Sequence, residues 1–224
     1  MTLGRPRVHF RRTDSTNARG RALAERGAPN GTLVTADEQS AGRGRQGRSW
    51  SAPPGHALLC SLVIHDPPRL LPLVAGVAVA ELAGPGALVK WPNDVLVDGR
   101  KVAGILVEGR PQERWAVLGI GINVALRADD IPVELRERAG SLGLAPEAIE
   151  PVLSRLLERL EAWLGASQSD ALEGLRARNA LLGRPVRWEG GSGEGVRIDD
   201  QGRLIVLTTE GEVALEAGEV HLVG

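Results

Sequence analysis

The chain has 224 residues, 42% of them hydrophobic and 25% charged, with a formal net charge of −1. This balance suits a core-forming globular chain of one or two domains. It excludes a generally basic surface for nucleic acid, so any positive field must be local.

The elements follow in chain order. "RTDSTNARGRALAERGAPNG" reads as a helix that Asp14, Ser15 or Thr16 can cap and Gly27 ends. "GTLVTADEQ" is a short strand, and "HALLCSLVIH" is a continuous apolar strand, buried on both faces or under helices. "LLPLVAGVAVAELAG" is an apolar helix stopped at Gly84-Pro85. "ALVKWPNDVLVDGRKVAGILVEG" holds two β-rich runs joined by the hairpin pair Asp98-Gly99. "RWAVLGIGINVAL" is another strand, with glycines where something approaches the backbone closely. Leu153, Leu156, Leu157, Leu160 and Trp163 share one face of a helix in "PEAIEPVLSRLLERLEAWLG", and "SDALEGLRARNALLG" is a further helix. After Gly183 short β runs alternate with Gly-rich turns. About five strands in that stretch suggest a small barrel. A boundary near residue 181 is expected, dividing the chain into 1–181 and 182–224.

The single cysteine, Cys60, has no partner within the chain for a disulfide, which fits a reducing compartment. The N-terminus shows no secretory h-region, and no run of 18 apolar residues suggests a membrane span, so a cytoplasmic location is expected. The four histidines show no metal-ligand spacing. Lysine and arginine together number 27, yet only Lys90 and Lys101 are lysines. Both fall in one segment, where a compact point charge is kept in place of a planar fork.

The stretch "GRGRQGRSW", residues 42–50, spells GxGxxG at Gly42, Gly44 and Gly47. A dinucleotide fingerprint needs a helix to open at the third glycine, and "RSWSAPPGH" cannot supply one. A Walker loop is absent. Single-strand RNA binding needs more numerous Arg-Gly repeats. A solvated turn is one remaining reading; the other is an anion-binding loop. In the latter, backbone N–H groups converge and Arg43, Arg45 and Arg48 add forked donors. Clustered like charges would keep such a loop mobile until an anion arrived.

Taken together, "STN" at 15–17, "EQSAGRGRQGRSW" at 38–50, "KWPNDVLVDGRKVAGILVE" at 90–108, "GIGINV" at 119–124 and a C-terminal "GRPVRW" resemble the biotin–protein ligases. The likeness runs over nearly the whole chain. It implies an α+β fold: a mixed β-sheet backed by helices, like the class II aminoacyl-tRNA synthetase catalytic domain, then a small SH3-like barrel. It implies the type without an N-terminal DNA-binding domain, hence no DNA partner. The implied reaction has two steps. Biotin and ATP give biotinyl-5′-AMP and pyrophosphate, and the biotinyl group passes to one lysine of a biotin carboxyl carrier protein, as in acetyl-CoA carboxylase. ATP and Mg²⁺ would act as substrate and activating ion, with no tightly bound prosthetic group.

The resemblance also implies roles. Ser15, Thr16, Asn17 and Gln39 would meet the ureido head and ring of biotin; Ser15 and Thr16 are equally plain N-caps. Gly42, Arg43, Gly44 and Arg45 would fold over the valerate chain and acyl phosphate. Lys101 would touch the carboxylate and the α-phosphate, while Gly104, Leu106 and Gly119 would wall the biotin pocket. On the nucleotide side stand Arg43, Arg45, Arg48, Asn93, Lys101 and Asn123. Trp50 either stacks on adenine or belongs to the core. Asp94 would hold Mg²⁺ or position Lys101; otherwise Asn93 and Asp94 are turn residues. Lys101, Arg45 and Asp94 are thus the catalytic candidates. Lys90 supports the hairpin electrostatically. One departure stands out: "RADDIPVELRERAGSLG" after "GINVAL" lacks the adenine-covering tryptophan of some relatives, which gives Trp50 more weight.

A lipoate or octanoate ligase or transferase of the same architecture is the rival reading, and a non-catalytic biotin sensor is another. RNA binding through the arginine loop is disfavoured by the near-neutral charge. The carrier is expected to dock by strand addition near the hairpin and loop, on an edge that could also support a homodimer.

Overall fold

The computed structural model describes residues 2–216 and 218–223. A seven-stranded mixed sheet contains β1 (Arg7–Thr13), β2 (Leu33–Gln39), β3 (Ala57–His65), β4 (Leu88–Lys90), β5 (Asp94–Val97), β6 (Arg100–Arg110) and β7 (Trp115–Asn123). Its spatial order is β1-β2-β3-β7-β6-β5-β4. Only β1 and β2 run parallel. The hairpin at Asp98-Gly99 forms as expected. Both residues have positive φ, 49° and 74°, as a two-residue turn of matching twist requires.

Strand β1 is the element that pattern reading misses. Its sequence RVHFRRT carries three arginines and a histidine, and most of it is exposed. An edge strand hydrogen-bonds a neighbour along one side only, and charges along it discourage pairing with another chain.

Helix α1 (Thr16–Ala24) lies on one face of the sheet, where Gly20 permits close contact: a Cβ there would sit 2.8 Å from Val117 Cγ1. Helix α2 (Leu71–Ala83) packs on the other face beneath α3 (Ile149–Gly165) and α4 (Gln168–Ala177). Ten of the 13 residues of α2 are buried, which explains why it reads as apolar all round. The face predicted for α3 is the one it buries, through Leu153, Leu156 and Leu160. Gly174 of α4 makes room for the Trp163 ring, 2.6 Å from where a Cβ would be.

The C-terminal stretch forms five strands: β8 (Pro185–Trp188), β9 (Gly191–Ile198), β10 (Leu204–Thr208), β11 (Gly211–Leu215) and β12 (Val220–Leu222). They make one antiparallel sheet, in order β11-β10-β9-β8-β12. The expected small all-β unit is therefore present as an open sheet. Its edge strands β11 and β12 share no ladder among the described residues. The two sheets are joined by packing. Val186, Ile198, Leu204, Val206 and Val220 belong to the same hydrophobic cluster as α2 and the large sheet. Buried Trp91 donates from Nε1 to the Gly202 carbonyl at 3.0 Å.

Candidate active site

Register partners in a sheet point to the same face. Asp94 pairs with Gly104, Gly104 with Gly121 and Gly121 with Leu59, so these form one row across four strands. Leu106, Gly119 and Ser61 form the next. Three glycines thus replace side chains at adjacent points on one face, and a cleft opens there. Its walls come from α1 (Ser15, Thr16, Asn17), the end of β2 (Gln39), the glycine-arginine loop, and Asn93 and Lys101. The opposite face, with Cys60 and Ile120 as register partners, is core.

A β-bulge decides where Lys101 points. On β6, Ala103 pairs with Val95, but Leu96 pairs with Lys101, so Val102 is the extra residue. Val102 packs into the core. Lys101, two residues from Ala103, would face the core in a regular strand; the bulge turns it to the cleft. Its Nζ lies 3.2 Å from the position of a Gly104 Cβ and 2.7 Å from Asp94 Oδ1. Its backbone is clamped as well. Lys101 N–H donates to the Arg138 carbonyl (2.7 Å), and Gly140 N–H donates to the Lys101 carbonyl (2.8 Å).

The inner wall is a polar network. Gln39 Oε1 accepts from the Thr16 N–H (2.7 Å) and faces the Thr16 hydroxyl (3.1 Å). Ser61 Oγ lies 2.8 Å from Thr16 Oγ1 and donates to Asn17 Oδ1 at 2.6 Å. Asn17 Nδ2 donates to Glu108 Oε2 (2.9 Å) and to the Leu106 carbonyl (3.3 Å). Ser15 is the N-cap residue of α1, but its side chain makes no capping bond; Asp14 accepts from the Ser15 N–H instead. That bond, first among its causes, holds the Asp14 carboxyl below the usual range.

The loop folds back as a small hairpin, with Gly44 N–H donating to the Arg48 carbonyl (2.7 Å) and Trp50 N–H to that of Gly42 (3.0 Å). Gly42 is required by close approach, since a Cβ would lie 2.3 Å from the Trp50 carbonyl oxygen. Mutual repulsion of the arginines is offset within the protein. Arg43 pairs with Glu108 at 3.1 Å, Arg45 donates to Asn93 Oδ1 (2.7 Å) and the Gly218 carbonyl (3.1 Å), and Arg48 pairs with Glu219. Burial lowers the Arg45 pKa from its ordinary value. The Trp50 indole lies over Gly104 and Gly121, within 3.0 Å and 2.6 Å of their Cβ positions. Its Nε1 is buried without a hydrogen-bond partner. Lys101 Nζ stands 5.5 Å from the centre of the ring.

A model of the biotin/lipoate A/B protein ligase family matches residues 9–124. The chain belongs to that family. Among family relatives, it is 37% identical to a biotin–[acetyl-CoA-carboxylase] ligase of Mycobacterium tuberculosis, over 94% of this chain and 86% of that one. It is 36% identical to one of Paracoccus denitrificans, over 95% and 99%. A solved biotin protein ligase from Aquifex aeolicus in complex with biotin and ATP superposes with a TM-score of 0.83 at 30% identity, covering 98% of this chain and 99% of that one.

Within this family member, most sequence-derived candidates converge on one cleft. Ser15, Thr16, Asn17, Gln39, Arg43, Gly44, Arg45, Arg48, Trp50, Asn93, Lys101, Gly104, Leu106 and Gly119 all line it. Three do not. Gly42 lies at the base of the loop, packed against the Trp50 carbonyl, and Asp94 reaches the cleft through Lys101. Asn123 is buried at the end of β7, where its Nδ2 donates to the Gly140 carbonyl at 2.8 Å. It therefore supports the segment that clamps Lys101. Ser61, Glu108, Gly121, Gly218 and Glu219 are contributors that sequence reasoning missed. Gly121 carried a signal in the GIGIN spacing; the others depend on strand register and on the second sheet. No group of three or more acidic, histidine or cysteine side chains suited to a metal is present among the described residues, and no helix there is long and apolar enough to cross a membrane.

Cys60 has no chemical role in this geometry. It is 1% exposed, and desolvation pushes its thiol up to about 12. Alkylation by iodoacetamide at pH 8.5 is expected to be at least about 100-fold slower in native protein than in urea, since the thiolate is the reacting form. Mass spectrometry of timed samples measures this, and rapid native labelling would contradict it.

Proposed function

We propose that the chain is an ATP-dependent biotin–protein ligase that forms biotinyl-5′-AMP and then biotinylates a lysine of a biotin carboxyl carrier protein. The observation that carries this reading is the Lys101–Asp94 pair beside Arg45, at the junction of a glycine floor and a polar wall. The complex of the Aquifex aeolicus relative with biotin and ATP supports it. The polar wall of Thr16, Asn17 and Gln39 suits a ureido ring, which both donates and accepts hydrogen bonds; the apolar tail of a lipoyl group has no use for it.

In the first step the biotin carboxylate attacks the α-phosphorus and pyrophosphate departs. The protein supplies orientation and charge neutralisation, with no nucleophile of its own. Lys101 holds both the attacking carboxylate and the α-phosphate oxygens, whose charge grows in the transition state. Asp94 fixes the Lys101 ammonium. The backbone of residues 43–45 covers the acyl phosphate and excludes water. In the second step the carrier lysine attacks the acyl carbon and AMP leaves.

Mg²⁺ is the expected companion of the triphosphate. The side chain of Asp94 is 14% exposed, and the contacts from Lys101 and Asn93 both fall on Oδ1. Oδ2 is therefore suited to accept from a hydrated cation, and one carboxylate plus phosphates is a common magnesium set. Bound there, the ion would neutralise phosphate charge. The outer edge of β6 beyond Gly104 pairs with no strand among the described residues and is the proposed docking edge for the carrier and for a second copy of the chain. Sedimentation with adenylate bound tests the latter; a monomer at high concentration removes it.

The deciding experiment mixes the protein, Mg²⁺, ATP and either biotin or lipoate with a carrier domain. A mass gain of one biotinyl group is expected with biotin alone. Gain with lipoate only, or binding of biotin without pyrophosphate release, would reject the proposal. Arg45→Gly removes the bonds to Asn93 and Gly218 that hold the loop down. Dissociation of biotinyl-5′-AMP is expected to accelerate about tenfold or more, on the scale of one or two charge-assisted hydrogen bonds. Stopped-flow release measures it, and an unchanged rate would show that the loop is no lid.

A further inference from the structure

Lys90 is a second amine, to which the sequence alone gives no more than electrostatic support of the hairpin. It ends β4, and its register partner is Asp94, itself the partner of Gly104. Lys90 therefore extends the row of the cleft floor by one strand and shares the face of Asp94, Gly104 and Gly121. It is partly buried, and burial lowers its basicity. The charges acting on it are Asp94 and Glu219, which attract, and Lys101 and Arg48, which repel.

Both of those carboxylates are already engaged. Lys101 holds Asp94, and Arg48 holds Glu219. Among the described residues no carboxylate lies within 4.0 Å of the Lys90 amine. With Arg45, four cations stand against two carboxylates around one end of the cleft. A withdrawn ammonium without a counter-ion is costly unless an anion is brought to it. The surplus of positive charge suits a multiply charged anion. Lys90 and Lys101 are also the only lysines in a chain that otherwise uses arginine. A compact ammonium fits between phosphate oxygens where a planar fork would not.

We propose that Lys90 binds the β- and γ-phosphates of ATP and the pyrophosphate they become, while Lys101 serves the α-phosphate. This rests on the adenylation reading given above. In that step a carboxylate oxygen of biotin bonds to the α-phosphorus. The bond from that phosphorus to the bridging oxygen breaks, its electron pair stays on pyrophosphate, and no proton moves. The leaving group gains one negative charge, which Lys90 offsets. Arg48, held by Glu219, closes the other side of the same end.

The test compares the full-length protein with Lys90→Met and Lys90→Arg in separate half-reactions. For Lys90→Met, the KM for ATP is expected to rise at least tenfold, and inhibition by added pyrophosphate to weaken by a similar factor. Transfer of biotin from supplied biotinyl-5′-AMP to a carrier domain falls less than twofold. Lys90→Arg recovers part of the ATP affinity, because it keeps the charge. Equal losses in both half-reactions would make Lys90 a structural or carrier-docking residue and overturn the assignment. So would an unchanged ATP KM. Calorimetry with inorganic pyrophosphate separates this claim from the ligase reading. Wild type is expected to bind it at least tenfold more tightly than Lys90→Met, and equal binding sinks the Lys90 role. If that difference holds while wild type forms no adenylate, only the ligase reading fails.

Discussion

Replacing Lys101 by arginine is expected to slow biotinyl-5′-AMP formation by about 100- to 1,000-fold while changing biotin affinity less than about threefold. The ammonium sits 2.7 Å from Asp94 and beside the glycine floor, where the carboxylate and α-phosphate must meet. Charge on those oxygens grows during the reaction, so the interaction is worth most in the transition state. Arginine keeps the charge but brings a wide plane into a space bounded by Gly104 and the Trp50 ring. Its donors lie spread in a rigid plane and cannot converge on one point as the three of the ammonium do. Pyrophosphate release under single-turnover conditions measures the rate, and calorimetry measures biotin binding. A variant that loses biotin binding and rate in equal measure would show that Lys101 contributes uniform binding and has no special role in the transition state.

Gly119→Val should weaken biotin binding by about 100-fold, equivalent to about 2.7 kcal/mol. A Cβ at Gly119 would stand 2.1 Å from Asn17 Oδ1, far inside contact distance. Asn17 must then move, and it cannot do so cheaply. Its oxygen takes the Ser61 hydroxyl and its nitrogen serves Glu108, so displacement leaves buried polar groups unpaired. The branched side chain also fills the cleft floor between Leu106 and Ser61. Calorimetric titration with biotin tests this, with thermal melting as a check on folding. Biotin binding at the wild-type level in a folded variant would place the vitamin elsewhere.

Both predictions depend on residues that the sequence flags, at positions that it does not reveal. The motifs STN, GRGRQGR, KWPND, RK-VAG and GIGIN name most of the cleft, because each combines residue types that chemistry restricts: capping hydroxyls, forked cations, and glycine where a ligand meets backbone. The longer elements were equally readable. Helix α3 announces its buried face through leucine spacing, and the hairpin at Asp98-Gly99 announces its turn through two residues that tolerate positive φ. Strand β1 escaped because its apolar alternation is confined to Val8 and Phe10 among three arginines and a histidine, and only its place at the sheet edge makes that composition acceptable. Ser61 and Glu108 escaped because polar residues within strands carry no local mark of the partners they meet across the sheet.

By itself the sequence determined the residue types the chemistry needs, their order, and the periodicities that make helices and strands, since these depend on neighbours a few positions away. Only the tertiary structure decided which of them meet. Alternation along β6 would send Lys101 into the core beside Ala103; the bulge at Val102, visible only in the pairing with β5, turns it to the cleft. Likewise Glu219 and Gly218 reach Arg48 and Arg45 from more than 170 residues away because the second sheet packs against the first. Register and packing are long-range cooperative properties, and no short window of residues contains them.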